Sequence, residues 1–174
     1  WEEGWPIVSP GTGRVEFEYP VPDLPEYRWP TQPACDNFEA DTLAPIWNFL
    51  RTPREDFWNL TDRFGYLRLL LRPQTLIEPS NPSFVGRRQQ HINFAARAAL
   101  EFSPKSTNEC AGLVLLQNNN FHFRFTLTKD NNGGSIAHLI CRENGTETTF
   151  GACPVNGSRF YFKVEAIGQA YSFY

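Results

Sequence analysis

The segment Phe84–Val85–Gly86–Arg87–Arg88–Gln89–Gln90–His91 puts two guanidiniums, two carboxamides and an imidazole into five consecutive residues behind a short apolar lead. As a strand it would alternate. Gly86, Arg88 and Gln90 would share one face, and Val85, Arg87, Gln89 and His91 the other. A strand this polar on both faces cannot sit wholly in an apolar core, because unpaired buried polar groups are costly. One reading pairs Arg87 and Arg88 with carboxylates on a solvated sheet. The other builds a face that hydrogen-bonds hydroxyl-rich material, with planar donors from Arg and donor–acceptor amides from Gln89 and Gln90. Trp47 and Trp58 are able to stack against the C–H face of a sugar ring, and Gln117 and Asn119 to bind its hydroxyls; the alternative places both tryptophans in the core.

Other chemistry finds little support. The sequence has no GxSxG, HExxH or phosphate-binding loop. His91, His122 and His138 fall on different predicted strands. A glycosidase would need two carboxylates facing one cleft. Glu101 and Glu165 are isolated on their strands, and the adjacent Glu55 and Asp56 point to opposite faces. No residue demands a cofactor. Asp36, at the mouth of the first strand, is the candidate for a structural calcium shared with backbone oxygens, the alternative being a turn cap. Asp130–Asn131–Asn132–Gly133 lacks the spaced acidic ligands of a calcium loop and reads as a hairpin turn.

The 174 residues suit one sizeable domain with an extra segment, and the 15% aromatic content favours strands. A formal net charge of −3 argues against a nucleic-acid partner, and no apolar run is long enough for a membrane span. The chain has no Met, not even at its start, and no signal pattern, so it reads as a piece of a longer polypeptide. Three sequons, at Asn59, Asn144 and Asn156, point to a secreted glycoprotein. Cys35, Cys110, Cys141 and Cys153 are spaced for two disulfides rather than a zinc site. Three connectivities are open; Cys35 with Cys110 and Cys141 with Cys153 is favoured, because the second pair flanks one apparent hairpin.

These groups must be positioned by strands. Residues 1–34 are proline-rich and read as the tail of a preceding domain plus a linker, extended over a folded body, with one short strand at Val15–Tyr19. Residues 35–174 hold the globular part. Strands are expected at Trp47–Leu50, Phe57–Leu60, Gly65–Leu71, Phe94–Phe102, Ala111–Gln117, Phe121–Thr128, Ile136–Arg142, Thr148–Cys153, Phe160–Ala166 and Ala170–Tyr174. A helix over Phe94–Leu100 is the one competing assignment, and it lacks a cap. Asn118–Asn120, Asn131–Gly134 and Glu143–Gly145 punctuate hairpins. The pattern is all-β: a two-sheet antiparallel sandwich or jelly roll preceded by an extended segment. The last strand ends without a visible partner, so the module reads as truncated at its C-terminal end.

The ordered series Asn48–Phe49–Leu50–Arg51–Thr52–Pro53–Arg54, Gly65–Tyr66–Leu67–Arg68–Leu69, Phe84–His91, Gly112–Leu113–Val114 and Asn118–Asn119–Asn120–Phe121 resembles one module. It is the C-terminal concanavalin-like β-sandwich of glycoside hydrolase family 43 β-xylosidases and α-L-arabinofuranosidases. Lys163–Ala166 and Tyr171–Tyr174 fit its later strands, and Trp1–Val8 is similar to the end of the propeller before it. The resemblance implies an accessory, non-catalytic piece. It would pack on a propeller that carries the three catalytic carboxylates, close its pocket, and contact xylan or xylo-oligosaccharides. The alternative is an independent xylan-binding module.

Overall fold

The computed structural model describes residues 3–9, 11–21, 23–31 and 33–174. The chain divides into two units, Trp1–Asp36 and Asn37–Tyr174. In the first, no ladder forms among the described residues, and Phe17, Val21 and Trp29 are exposed. The short strand expected at Val15–Tyr19 is absent. Pro20, Pro25 and Pro30 remove backbone donors from the stretch that follows.

The second unit is all-β and antiparallel. Four strands form one sheet in the order β6 (Cys110–Asn118), β7 (Phe121–Lys129), β8 (Ser135–Glu143), β9 (Thr146–Val155). Three form another in the order β11 (Ala170–Phe173), β10 (Arg159–Ile167), β5 (Phe94–Glu101). Two short ladders stand apart: β1 (Trp47–Phe49) with β4 (Val85–Arg87), and β2 (Trp58–Asn59) with β3 (Arg68–Leu69). The alanine-rich segment is a strand rather than a helix, because β10 pairs with it along its whole length, from Arg159 opposite Glu101 to Ala166 opposite Phe94.

Alternation decides what the two main sheets bury. Phe123, Phe125 and Leu127 leave β7 on one side, and Phe162, Val164 and Ala166 leave β10 to meet them. Phe125 stands edge-on to Phe162 with centroids 4.7 Å apart, and Phe173 of β11 closes on Phe123 and Phe125 at 5.6 and 5.8 Å. A second apolar cluster joins the short ladders. Phe49 meets Phe57 edge-on and stacks on Trp58, while the Arg72 guanidinium caps the Phe57 ring at 4.5 Å.

The turns follow from local chemistry. Asn118 Oδ1 accepts hydrogen bonds from the backbone N–H groups of Asn120 and Phe121, which sets the β6–β7 turn. Asp130 spends its carboxylate on the N–H groups of Asn132 and Gly134, as a hairpin turn requires. Asn144 and Gly145 both take positive φ between paired Glu143 and Thr146, a two-residue hairpin turn.

The expected disulfides do not form. Cys110, Cys141 and Cys153 keep unbridged thiols. Cys153 lies opposite Ala137, four positions from Cys141 on β8, an offset of about 13 Å at strand rise. A disulfide needs Cα atoms within about 7 Å. Flanking one hairpin is thus insufficient; the two cysteines would have to share a rung.

Two substitutions test this packing. A Cβ on Gly112 would lie 2.1 Å from the Phe125 carbonyl oxygen. Gly112→Ala is therefore expected to lower stability by about 1–3 kcal/mol, read from the urea midpoint. Phe162→Ala removes the inter-sheet ring and is expected to cost about 3–5 kcal/mol, with the thermal midpoint falling in step.

Candidate functional site

The Arg–Gln segment is a strand only over Val85–Arg87, where Val85, Gly86 and Arg87 pair with Phe49, Asn48 and Trp47. The partner strand is three residues long, so the ladder stops there. Arg88, Gln89, Gln90 and His91 run on exposed and irregular, and Gln89 Nε2 donates to the His91 carbonyl oxygen at 2.8 Å. Alternating faces therefore do not sort these side chains. Arg87 is also exposed, at the open end of β4.

Trp58 is half-buried and stacked on Phe49, so its ring belongs first to the smaller apolar cluster. Gln117 is exposed beside the β6 bulge. Asn119 is engaged within the protein. Its Nδ2 donates to the carbonyl oxygens of Ile77 and Glu78 at 2.9 and 3.2 Å, and its Oδ1 accepts from Arg51 Nη2 at 3.2 Å. Its backbone oxygen accepts from Arg142 Nε at 3.1 Å. Both Nδ2 donors of Asn119 are thus committed within the protein, and Oδ1 retains one lone pair.

Asn119 belongs to a polar knot that pins the 73–83 loop to the four-stranded sheet. Arg51 also donates to the Ser80 carbonyl oxygen. Arg72 reaches Ser83 Oγ at 3.0 Å and the Asn81 carbonyl oxygen at 2.6 Å, and Asn81 Nδ2 donates to the Leu50 carbonyl oxygen at 3.0 Å. Beneath it, His122, Arg142 and Glu147 lie on one rung of β7, β8 and β9. Glu147 binds Arg124 at 2.7 Å and Arg142 at 3.5 Å. His122 is buried, with Nδ1 3.2 Å from the Asn118 carbonyl oxygen. Burial pulls its pKa below the ordinary imidazole value near 6.5; the Asn118 carbonyl opposes the shift and the neighbouring Arg124 adds to it.

The strand carboxylates are tied to cations. Glu101 takes Arg63, Tyr66 Oη at 2.7 Å and Arg159 at 3.5 Å, and the Arg63 hydrogen bond holds it below the usual carboxylate range. Glu165 binds Lys163 at 2.7 Å, which lowers it likewise. Arg159 faces Glu101, so Glu165 stands about 20 Å along β10 from that carboxylate. Catalytic carboxylates in glycosidases sit roughly 5–10 Å apart. Glu101 and Glu165 are too far apart, and too firmly ionised, to form such a pair.

Among the described residues no group of three or more His, Cys, Asp or Glu side chains could hold a metal. Among the sequons, Asn144 is exposed in the β8–β9 turn and Asn156 is exposed in the loop after β9. Asn59 instead ends β2, its Oδ1 accepting from the N–H groups of Thr61 and Asp62 at 2.8 and 2.6 Å. An exposed aromatic that no motif marks is Tyr161. Only the alternation of β10, with Phe160 and Phe162 inward, signals that it points out.

Two predictions follow from the knot. Asn119→Ala removes one of the Arg51 partners and the donor to the Ile77 and Glu78 carbonyls, and is expected to lower stability by about 2 kcal/mol and raise amide exchange in the 73–83 loop. For His122, the unfolded chain takes up a proton below about pH 6.5 that the folded chain resists, so stability falls as pH drops from there. Urea midpoints at pH 7.5 and 5.0 should separate in the native protein and separate less in His122→Gln.

Residues 35–174 match the family described as the beta xylosidase C-terminal concanavalin A-like domain. A xylosidase/arabinosidase of Butyrivibrio fibrisolvens is 42% identical over 132 residues, covering 74% of this chain and 25% of that protein. A non-reducing end alpha-L-arabinofuranosidase of Bacteroides ovatus is 35% identical over 99% of this chain and 33% of its own length. A solved structure from the same organism, a GH43 protein of a xyloglucan utilisation locus, superposes with a TM-score of 0.85 at 32% identity, over 89% of this chain and 31% of that one. A xylan beta-1,4-xylosidase from Bacillus halodurans gives a TM-score of 0.82 at 29% identity, over 88% of this chain and 30% of its own. The chain spans a quarter to a third of the length of these relatives. Residues 35–174 thus belong to the C-terminal concanavalin-like β-sandwich family of glycoside hydrolase family 43 xylosidases and arabinofuranosidases.

Proposed function

We propose that this chain is the accessory β-sandwich of a secreted, exo-acting, xylan-degrading glycosidase, releasing xylose or arabinose units. In this reading the catalytic carboxylates belong to a propeller domain outside these residues. The sandwich packs on that propeller, shapes its pocket and contacts xylan. The observation that carries the reading is the family match over residues 35–174 by a chain only a quarter to a third the length of relatives named as xylosidases and arabinofuranosidases. Glu101 and Glu165, held ionised in ion pairs about 20 Å apart, agree with a non-catalytic role for this part. Secretion rests on the sequons, of which Asn144 and Asn156 stand exposed.

Arg87, Arg88, Gln90 and Gln117 are exposed and remain the residues of the original motif best placed to meet a hydroxyl-rich chain. That exposure favours the second reading, an independent xylan-binding module.

The two separate in one experiment. Intact mass and terminal sequencing of every polypeptide in the native preparation should reveal a propeller, on this chain or accompanying it. Activity on aryl β-xylosides or aryl α-L-arabinofuranosides should travel with it. A lone, folded, inactive 174-residue chain that binds xylan would overturn the hydrolase reading in favour of the second. Loss of xylan binding in Arg88→Ala with unchanged folding would assign that binding to the original motif.

A further inference from the structure

On the three-stranded sheet, the face turned away from the core carries Arg159, Tyr161, Lys163 and Glu165 from β10, the central strand. Beside them on β5 stand Glu101, Ala99, Arg97 and Ala95, each directly opposite its β10 neighbour. Tyr161 is 73% exposed at the middle of this surface. Its cross-strand neighbour is Ala99, too short to cover the ring, so one aromatic face lies open beside a flat floor. A fully outward tyrosine on a central strand has no packing role in the sandwich.

The charges around it are unbalanced. Arg97, Arg159 and Lys163 stand against Glu101 and Glu165, and Arg63 reaches Glu101 from the adjoining turn. The surface therefore has an excess of two positive charges, on a chain whose formal net charge is −3. Arg159 and Lys163 are held at fixed positions by their carboxylate partners. Arg97, opposite Lys163 and exposed, makes no ion pair among the described residues. Sugar C–H faces stack on exposed aromatic rings, and a locally basic surface recognises carboxylate oxygens through guanidinium donors.

We propose that this face binds a polysaccharide bearing acidic sugars, with a ring of the chain stacked on Tyr161 and a carboxylate side group received by Arg97. The proposal rests on the reading above that the module contacts polysaccharide, and it assigns that contact to a different sheet from the Arg87–Gln90 segment.

Affinity electrophoresis of the chain through gels containing glucuronic-acid-substituted xylan tests it, with the same polymer carboxyl-reduced as the neutral control. The native chain should be retarded by the acidic polymer. Retardation should weaken about tenfold in Tyr161→Ala and in Arg97→Ala, on carboxyl reduction and at high salt, while Arg88→Ala behaves as native. Both substituted side chains are exposed, and unchanged urea midpoints confirm intact folding. Equal retardation by the reduced polymer, or native behaviour of Tyr161→Ala, overturns the proposal. Loss confined to Arg88→Ala also overturns it but leaves the general xylan-contact reading standing. So does release of a bound polypeptide by Tyr161→Ala with retention unchanged, which would make the face a protein interface.

Discussion

The edge-on seating of Phe125 on Phe162 is the constraint on which the molecule depends. It joins the two large sheets and fixes which way their central strands face. Once Phe123, Phe125 and Leu127 point inward, His122, Arg124, Thr126 and Thr128 must point the other way. On β10, Phe160, Phe162, Val164 and Ala166 inward send Arg159, Tyr161, Lys163 and Glu165 outward. A slip of one residue on either strand would drive charged groups into the inter-sheet space. Unpaired buried charge costs far more than the aromatic contact returns, so register is specified from both sides.

The two outward rows then have different fates. On β7 the row is not solvated: His122 and Thr126 are buried although they point away from the main core. Charges there must be neutralised, and Glu147 serves Arg124 and Arg142 together while the Asn119 carbonyl oxygen accepts from Arg142 Nε. Removing Glu147 would leave the half-buried Arg124 and Arg142 both without their carboxylate. On β10 the row faces water. Ion pairs there add little to stability. They surround Tyr161, which stays exposed.

Much of this was legible in the sequence. The long strands came through because period-2 alternation of bulky apolar residues is a strong signal, as in Phe121–Thr128 and Phe160–Ala166. The hairpin turns came through because Asn-Gly and Asp-Asn-Asn-Gly combinations have few other uses. What misled was local polarity. The Arg87–His91 block looked like a strand, but a strand needs a partner as long as itself, and β1 ends after three residues. Asn119 looked like a ligand contact because a turn asparagine is polar; its partners, Ile77, Glu78 and Arg51, lie 42, 41 and 68 residues away, beyond any local pattern. The cysteine pairing failed for the related reason that sequence shows which residues flank a hairpin but not which share a rung. Tyr161 was recoverable in principle, since an aromatic at the outward phase of a strand has no structural duty to explain it.

The carboxylates carry the division of labour further. Hydrolysis of a glycoside asks one carboxylic acid to keep its proton and a second carboxylate to stand within a few ångströms. Glu101 and Glu165 do the reverse: guanidinium and ammonium partners hold them ionised, at opposite ends of the β5–β10 ladder. An ionised carboxylate locked to a cation cannot donate a proton, but it positions that cation well. Arg159 is placed beside the Tyr161 ring at 6.0 Å because Glu101 holds its other side. On this ladder the acids serve to aim the neighbouring bases.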